Sequence, residues 1–575
     1  MHNLKITYLG LLFFVLAGPA FPAVLLPPKP LSPVVNQTGV APTPRFAWKK
    51  VSGALSYELQ LSPDSMFGKI IVDIGGLADT TYDQTRALPF APYYWRVKAK
   101  NGDRQSAWSK PRSFAVEMLR HFFSPDVGAS EGGVSPAVKD ELGYFHRLGY
   151  NYVFFYLEYT QIMPDMAFVA SGPEAGHWVF NKHGYSDTSK SVVRNFKALK
   201  NAIESAGMHA LPAIGDLSHQ GQWINGVAIP QNGKTDMLWK RNDAVSEFNS
   251  KTAFIEFAHA IGLPGENNAD QCNEDFNTVY CADDSNKTAS DIFVEQLRII
   301  QSNWGHSSLG GLYPQYVNIG HDEIGHAPRG KFICLVGEGK TKDLCKRHGG
   351  GGVGKSWVIA HQIQTKYGQV STFCDPGAKM VLWGDCFVTL GNGESAGLTG
   401  DDQGNGGVLQ FLRDTMRLTN NCIIEPWNYW SLNGSPTGYA SMNFDQNAQV
   451  RFIQKFGFGY VLASGEGGGY SSGEGGMNNV DRHVRVVYEQ AQASRLFPQY
   501  FYGFGEQLYV NWNSDGFKDT LAGYTAPIVA YFGWTAGDKS LNASQLATVK
   551  FDPIKSRKNL SWNLGADFTP EGSLR

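Results

Sequence analysis

The sequence predicts an α/β chain: a (β/α)8 (TIM) barrel preceded by a smaller all-β sandwich domain. Three observations predict it. Short apolar strands alternate with helical segments in successive units from residue 118 onward, the pattern of a parallel barrel. Residues 33–116 instead show period-2 alternation broken by Gly, Pro, Asp and Asn, the pattern of half-buried antiparallel strands. At 575 residues the chain is also too long for one small core.

Taken in order, the N-terminus reads as an export signal. Lys5 precedes the apolar run Ile6 to Ala17, and small residues follow at Gly18, Ala20 and Ala23. That run falls short of the roughly 20 apolar residues that span a bilayer, and no later segment supplies them. The expectation is a secreted or periplasmic protein with a cleaved signal and no membrane span. A Pro-rich stretch, Leu26 to Pro33, reads as a linker or the edge of a first strand. Alternating runs follow at Phe46-Ala-Trp48, Tyr57-Glu-Leu-Gln-Leu61, Tyr93-Tyr-Trp-Arg-Val97 and Ser113-Phe-Ala-Val116. Barrel strands are expected at 118–123, 152–158, 209–214, 316–320, 380–384, 422–427, 459–464 and 501–510. Helices are expected at 136–148, 190–206, 289–303, 354–367, 407–417, 444–456, 480–495 and 518–533, with the largest insertions on either side of strand four. The expected boundaries are 1–23 for the signal, 24–116 for the sandwich, 117–540 for the barrel and 541–575 for a C-terminal extension.

Composition narrows the function classes. The formal net charge is −2 and no Lys/Arg patch appears, so nucleic acid, which needs neutralised phosphates, is not an expected partner. The 14 Trp, 25 Tyr and 35 Phe suit a protein that packs sugar faces on rings, and suit a large core equally well. Cys272 with Cys281 and Cys334 with Cys345 are spaced for local disulfides in polar sequence, as an oxidising compartment allows. Cys374, Cys386 and Cys422 leave at least one free thiol, and their spacing fits no zinc motif.

The chemistry concentrates where strand four, Tyr316-Val-Asn-Ile-Gly320, runs into His321-Asp322-Glu323. Barrel active sites sit at the C-terminal ends of the strands. Adjacent carboxylates there repel each other, which points to use by a substrate or a metal; a solvated pair at a helix N-terminus is the plain alternative.

Tyr316 to Glu323 resembles the signature of glycoside hydrolase family 20, an apolar strand followed by His-x-Gly-Gly-Asp-Glu. Here Asn318 stands for the leading His and His321 for the second Gly. The resemblance extends over most of 118–535, through Leu119-Arg-His-Phe-Phe123, Leu211-Pro-Ala-Ile-Gly-Asp-Leu-Ser-His219, Met380-Val-Leu-Trp383, Ile423-Ile-Glu-Pro-Trp427 and Gly505 to Trp512. It implies a β-N-acetylhexosaminidase working by substrate assistance, in which the sugar's 2-acetamido oxygen attacks the anomeric carbon and no second carboxylate is needed. Asp322 would orient the acetamido group, and Glu323 would protonate the leaving oxygen and then activate water. Its pKa should be raised by burial against aromatic walls. His219 would contact the acid and be held by Glu158. Arg120 would grip sugar hydroxyls. Trp383, Trp427 and Trp512 would wall the pocket, and either Tyr470 or Tyr429 would aim a hydroxyl at the acetamido group. The implied partner is a glycan bearing N-acetylhexosamine, with no metal or organic cofactor. Residues 33–116 similarly resemble a fibronectin type III-like, immunoglobulin-like sandwich with Trp48, Tyr57 and Trp95 in its core, a module that usually serves as a spacer or docking platform.

Two departures keep rival readings open. The pocket acid expected after the last-strand Trp is Asn513, and the strand-four motif is altered. The rivals are a catalytically silent carbohydrate-binding or adhesion protein and a barrel hydrolase of another substrate-assisted family. Gly349 to Ser356 matches the nucleotide-binding glycine-loop pattern but lacks a preceding buried strand, so it is expected to be a flexible loop over the barrel mouth. His321 and His326 stand five apart rather than the four of a zinc-protease helix, so they do not share a face.

Overall fold

The computed structural model describes residues 25–124, 127, 133–156, 166–168, 178–180, 191–216, 294, 297, 300–301, 314–320, 351–375, 377–384, 387, 407–427, 446–466, 486–487, 489–494 and 500–508. The expected signal and C-terminal extension lie outside them.

The alternating runs of the first segment form strands: β1 (Pro30–Ser32), β2 (Gln37–Val40), β3 (Arg45–Trp48), β4 (Ser56–Ser62), β5 (Val72–Leu77), β6 (Thr81–Asp83), β7 (Ala91–Asn101), β8 (Arg104–Gln105) and β9 (Arg112–Val116). They make two sheets, β1-β3-β6 and β2-β9-β7-β4-β5, with β8 added to β7. Side chains alternate across a strand, so β7 buries Tyr93, Trp95, Val97 and Ala99 and turns their neighbours out. These meet Phe46 and Trp48 of the other sheet in one core, with Phe46 and Trp95 ring centroids 5.1 Å apart and edge-on. Part of the Pro-rich stretch is the edge strand β1.

The barrel consists of β10 (Leu119–Phe123), β11 (Tyr152–Tyr156), β14 (His209–Asp216), β15 (Tyr316–Gly320), β16 (Lys379–Trp383), β17 (Cys422–Glu425), β18 (Gly459–Glu466) and β19 (Phe501–Leu508). The hairpin strands β12 (Met166–Phe168) and β13 (Trp178–Phe180) follow β11. The eight strands pair in that order, all parallel, and β19 closes on β10. Parallel strands need a crossover, and helices supply it: α1 (Pro136–Arg147), α2 (Ser191–Ser205), α3 (Gly351–Phe373), α4 (Val408–Asp414) and α5 (Gln446–Lys455). Local sequence starts and stops them. At α1, the Ser135 hydroxyl accepts the Val138 N–H at 3.2 Å, Pro136 opens the first turn, and Gly149 (φ 90°) follows the last.

α3 corrects one expectation. The glycine run is not a loop from Gly351 onward but the start of a helix. Glycine disfavours a helix interior by about 1 kcal/mol per residue. Downstream, Ile359, Ala360, Ile363 and Val370 recur at helical spacing and are buried, which outweighs that local cost.

The two strand faces are distinct. Phe122 points outward and stacks on Phe145 of α1, centroids 3.7 Å apart and planes 8° from parallel. Leu119 and Phe123 point inward and join Tyr152, Phe154, Tyr316, Val381, Trp383 and Val461 in the lumen core.

The sandwich is built into this barrel rather than held off as a spacer. Ala41, from the turn between β2 and β3, belongs to the lumen core. The Tyr152 hydroxyl donates to Gly39 O at 2.9 Å, and the Gln315 amide donates to Thr38 O at 3.1 Å. Thr38 Oγ1 lies 3.0 Å from His209 Nε2, and Thr43 Oγ1 lies 2.5 Å from the Tyr502 hydroxyl. Gly39 has φ +66°, and a Cβ there would fall 2.5 Å from the Tyr152 hydroxyl, so only glycine fits. All these barrel residues stand at or beside strand starts. The loop therefore stops the N-terminal end of the lumen and leaves the C-terminal end as its mouth. Burial at this junction holds His209 neutral, its pKa lowered to about 4, and raises the Asp375 carboxyl to about 6.

Candidate active site

At the mouth, β15 is buried along its whole length. Its last residue, Gly320, has φ 75°, a left-handed conformation that suits glycine, and its N–H donates to Asn318 Oδ1 at 2.7 Å. The chain leaves the strand there, and the next residues in sequence are His321, Asp322 and Glu323. Those two acids lie outside the described residues, as do Glu158, His219, Tyr429, Tyr470, Trp512 and Asn513.

Two of the expected wall residues are described, and both meet the lumen core. Trp383 ends β16, is buried, and packs on Phe154 with centroids 5.6 Å apart. Trp427 lies two residues beyond β17, bridges to Ala463 of β18 and rests half-buried on the same cluster. The two tryptophans thus come from successive strands, β16 and β17.

Arg120 is placed differently from expectation. Leu119, His121 and Phe123 occupy the inward parity of β10, so Arg120 shares the outward parity of Phe122. Its charge is felt by His146 of α1, and burial lowers its own pKa, opposed by nearby Glu117. The lumen-facing side chain at this height is His121.

His121 belongs to a cluster that sequence reading missed. Its Nε2 lies 2.7 Å from Glu425 Oε1, and both residues are fully buried. Glu425 ends β17, separated from β10 by β18 and β19, and its carboxylate crosses to His121 over small residues. Ala463 of β18 pairs with Gly505 of β19, and Gly505 pairs with His121. A Cβ on Gly505 would stand 2.3 Å from His121 Cε1 and 2.7 Å from Glu425 Oε1. The His121 ring stacks on Phe154, centroids 5.6 Å apart, and Phe154 in turn touches Trp383. The signal was present in sequence. An acid inside Cys422-Ile-Ile-Glu425 sits in a run that a barrel buries on both faces, and charged residues are almost never fully buried unless paired.

Polar atoms in this lumen lack hydrogen-bond partners among the described residues: His121 Nδ1, Glu425 Oε2, Trp383 Nε1, Asn318 Nδ2 and both amide atoms of Gln507. Native proteins leave few such atoms, and each calls for a reason. The remaining buried acid of β19, Glu506, faces the other way, accepting from the Ser464 hydroxyl at 2.7 Å.

No family model matches the chain, and no curated protein matches it. Solved structures resemble it at low identity. A structure of the pneumococcal virulence factor StrH, described for N-glycan recognition and hydrolysis, is 11% identical over 72% of this chain and 83% of its own, with a TM-score of 0.36. A glycoside hydrolase family 20 β-N-acetylglucosaminidase is 12% identical over 81% of each chain, with a TM-score of 0.34. An Fn3-like protein from Clostridium thermocellum is 21% identical over 17% of this chain and 98% of its own, with a TM-score of 0.14.

Proposed function

We propose that this chain is an exported glycoside hydrolase that removes terminal N-acetylhexosamine from glycans by substrate-assisted, retaining catalysis. One observation supports it above the others. The fourth strand of a closed parallel barrel ends at Gly320, the acid pair Asp322-Glu323 comes two residues later in sequence, and Trp383 and Trp427 end or follow the next two strands.

In this reading the sugar's acetamido oxygen, oriented by Asp322, attacks the anomeric carbon as the glycosidic bond breaks. Glu323 gives its proton to the leaving oxygen. The cyclised sugar is then opened by water, whose proton Glu323 takes back, and two inversions give net retention. His219, backed by Glu158, holds Glu323; Trp383, Trp427 and Trp512 wall the acetamido group, with Tyr470 or Tyr429 donating to it. The test uses the full chain with chromogenic N-acetyl-β-glucosaminide and N-acetyl-β-galactosaminide. Glu323→Gln should cut turnover by about 10²–10⁴-fold, and a thiazoline mimic of the cyclised sugar should inhibit the wild type. Sugar binding without turnover would instead favour a silent carbohydrate-binding protein.

A further inference from the structure

Resting on that reading, we propose that Glu425, oriented by His121, is a specificity-determining residue that accepts a hydrogen bond from a ring hydroxyl of the bound sugar. Three buried side chains around one aromatic floor carry polar atoms without partners among the described residues: Glu425 Oε2, His121 Nδ1 and Trp383 Nε1. They form one assembly. Trp383 and Glu425 are register partners on adjacent strands, His121 holds Glu425 Oε1 at 2.7 Å, and Phe154 packs on both His121 and Trp383.

The ligand class follows from the atoms. An indole N–H only donates and the open Glu425 carboxylate oxygen accepts, so a group that both accepts and donates satisfies the pair. A hydroxyl does both, and a sugar adds an apolar face for the Phe154 and Trp383 rings. The sequence also makes space for the carboxylate in particular. Gly505 has no Cβ where one would meet both His121 and Glu425. A merely structural pair could have been an apolar contact, with no unpaired oxygen to bury.

A site built to bind a hydroxyl discriminates sharply against a sugar that presents it differently. The experiment compares kcat/KM of the full chain for the chromogenic N-acetyl-β-glucosaminide and its galactosaminide epimer. Glu425→Gln keeps the shape and removes the charge; it should change the ratio of the two kcat/KM values by about tenfold or more, mainly through KM. A folded Glu425→Gln protein whose ratio stays within about twofold of wild type overturns the proposal while leaving the hydrolase reading intact. Should Glu425→Gln not fold, Trp383→Phe, which deletes the N–H and keeps a ring, is read in the same way. If the wild type turns over neither substrate, tryptophan fluorescence is titrated with N-acetylglucosamine. A response present in wild type and lost in Glu425→Gln supports Glu425 as a sugar ligand although the hydrolase reading fails. Its absence in wild type, or its survival in the variant, overturns the proposal.

Discussion

The sandwich and the barrel lumen are both dense with buried aromatic rings, yet they treat buried polar groups in opposite ways. In the sandwich the Trp95 indole donates to Pro33 O at 3.2 Å, and the Ser106 and Ser109 hydroxyls accept the N–H groups of Ala99 and Val97 at 2.9 and 3.1 Å. The exceptions there are the Trp48 indole N–H and Arg45 Nε, the latter 3.6 Å from Asp83 Oδ1. In the lumen, His121, Asn318, Trp383, Glu425 and Gln507 all keep atoms without a hydrogen-bond partner among the described residues. A core that closes its own hydrogen bonds is complete as a scaffold. One that leaves several open around an aromatic floor has kept capacity for something else, at a cost in stability of about 1–3 kcal/mol per unmet group.

That contrast can be broken by paired mutations. Trp95→Ala should cost about 3–5 kcal/mol in denaturant unfolding, because Trp95 is fully buried between Phe46 and the sheet. In the lumen, removing His121 alone should cost a similar amount by stranding Glu425. The double change His121→Leu with Glu425→Leu should recover it, because two apolar groups replace a hydrogen-bonded pair about neutrally or better. If the double variant is as unstable as the single, the pair is structural and the contrast fails.

The junction between the two regions should show next, in the pH dependence of Tm. His209 has its folded pKa lowered from 6.5 to about 4, so its stabilisation is full above 6.5 and is lost as pH falls through 4. Asp375 has its folded pKa raised from 3.8 to about 6, so its contribution is full below 3.8 and is lost as pH rises through 6. Between about pH 4 and 6 the two slopes oppose, each worth on the order of 3 kcal/mol end to end. His209→Gln should flatten the acid-side loss, and Asp375→Asn should gain on wild type as pH rises from 4 to 6. Parallel curves for wild type and both variants would remove the junction from the comparison. The smallest expected effect is Gly505→Ala, whose methyl must displace His121 or Glu425; about 1–3 kcal/mol is expected, with sugar affinity reduced in a fluorescence titration.

Much of this fold was legible because its signals are local. Tyr316–Gly320 was read residue for residue, and Pro136–Arg147 to within one, since apolar runs, Ser135 and Gly149 are all near neighbours in sequence. Trp383 and Trp427 were legible as strand-end residues because each follows or closes an apolar run. What escaped depends on distance along the chain or on which face a residue takes. Arg120 was given the lumen that His121 occupies, a difference of one residue that reverses the face. The pairing of His121 with Glu425 spans 304 residues, so the buried acid could be read from its own strand but its partner could not. The Gly351 helix start was hidden because glycine propensity argues against it and only tertiary burial argues for it.

The contact between Thr43 and Tyr502 joins positions 459 apart, and it sets an order on how this molecule is made. A chain synthesised from its N-terminus presents the stopper long before the cylinder it fits. Until the eighth strand arrives, Ala41 and Thr43 have no complete socket, so fragments ending before Phe501 should remain sticky at that loop. An independent sandwich and an independent barrel would each carry half of one plug joint, which makes the two halves poor candidates for exchange with other proteins.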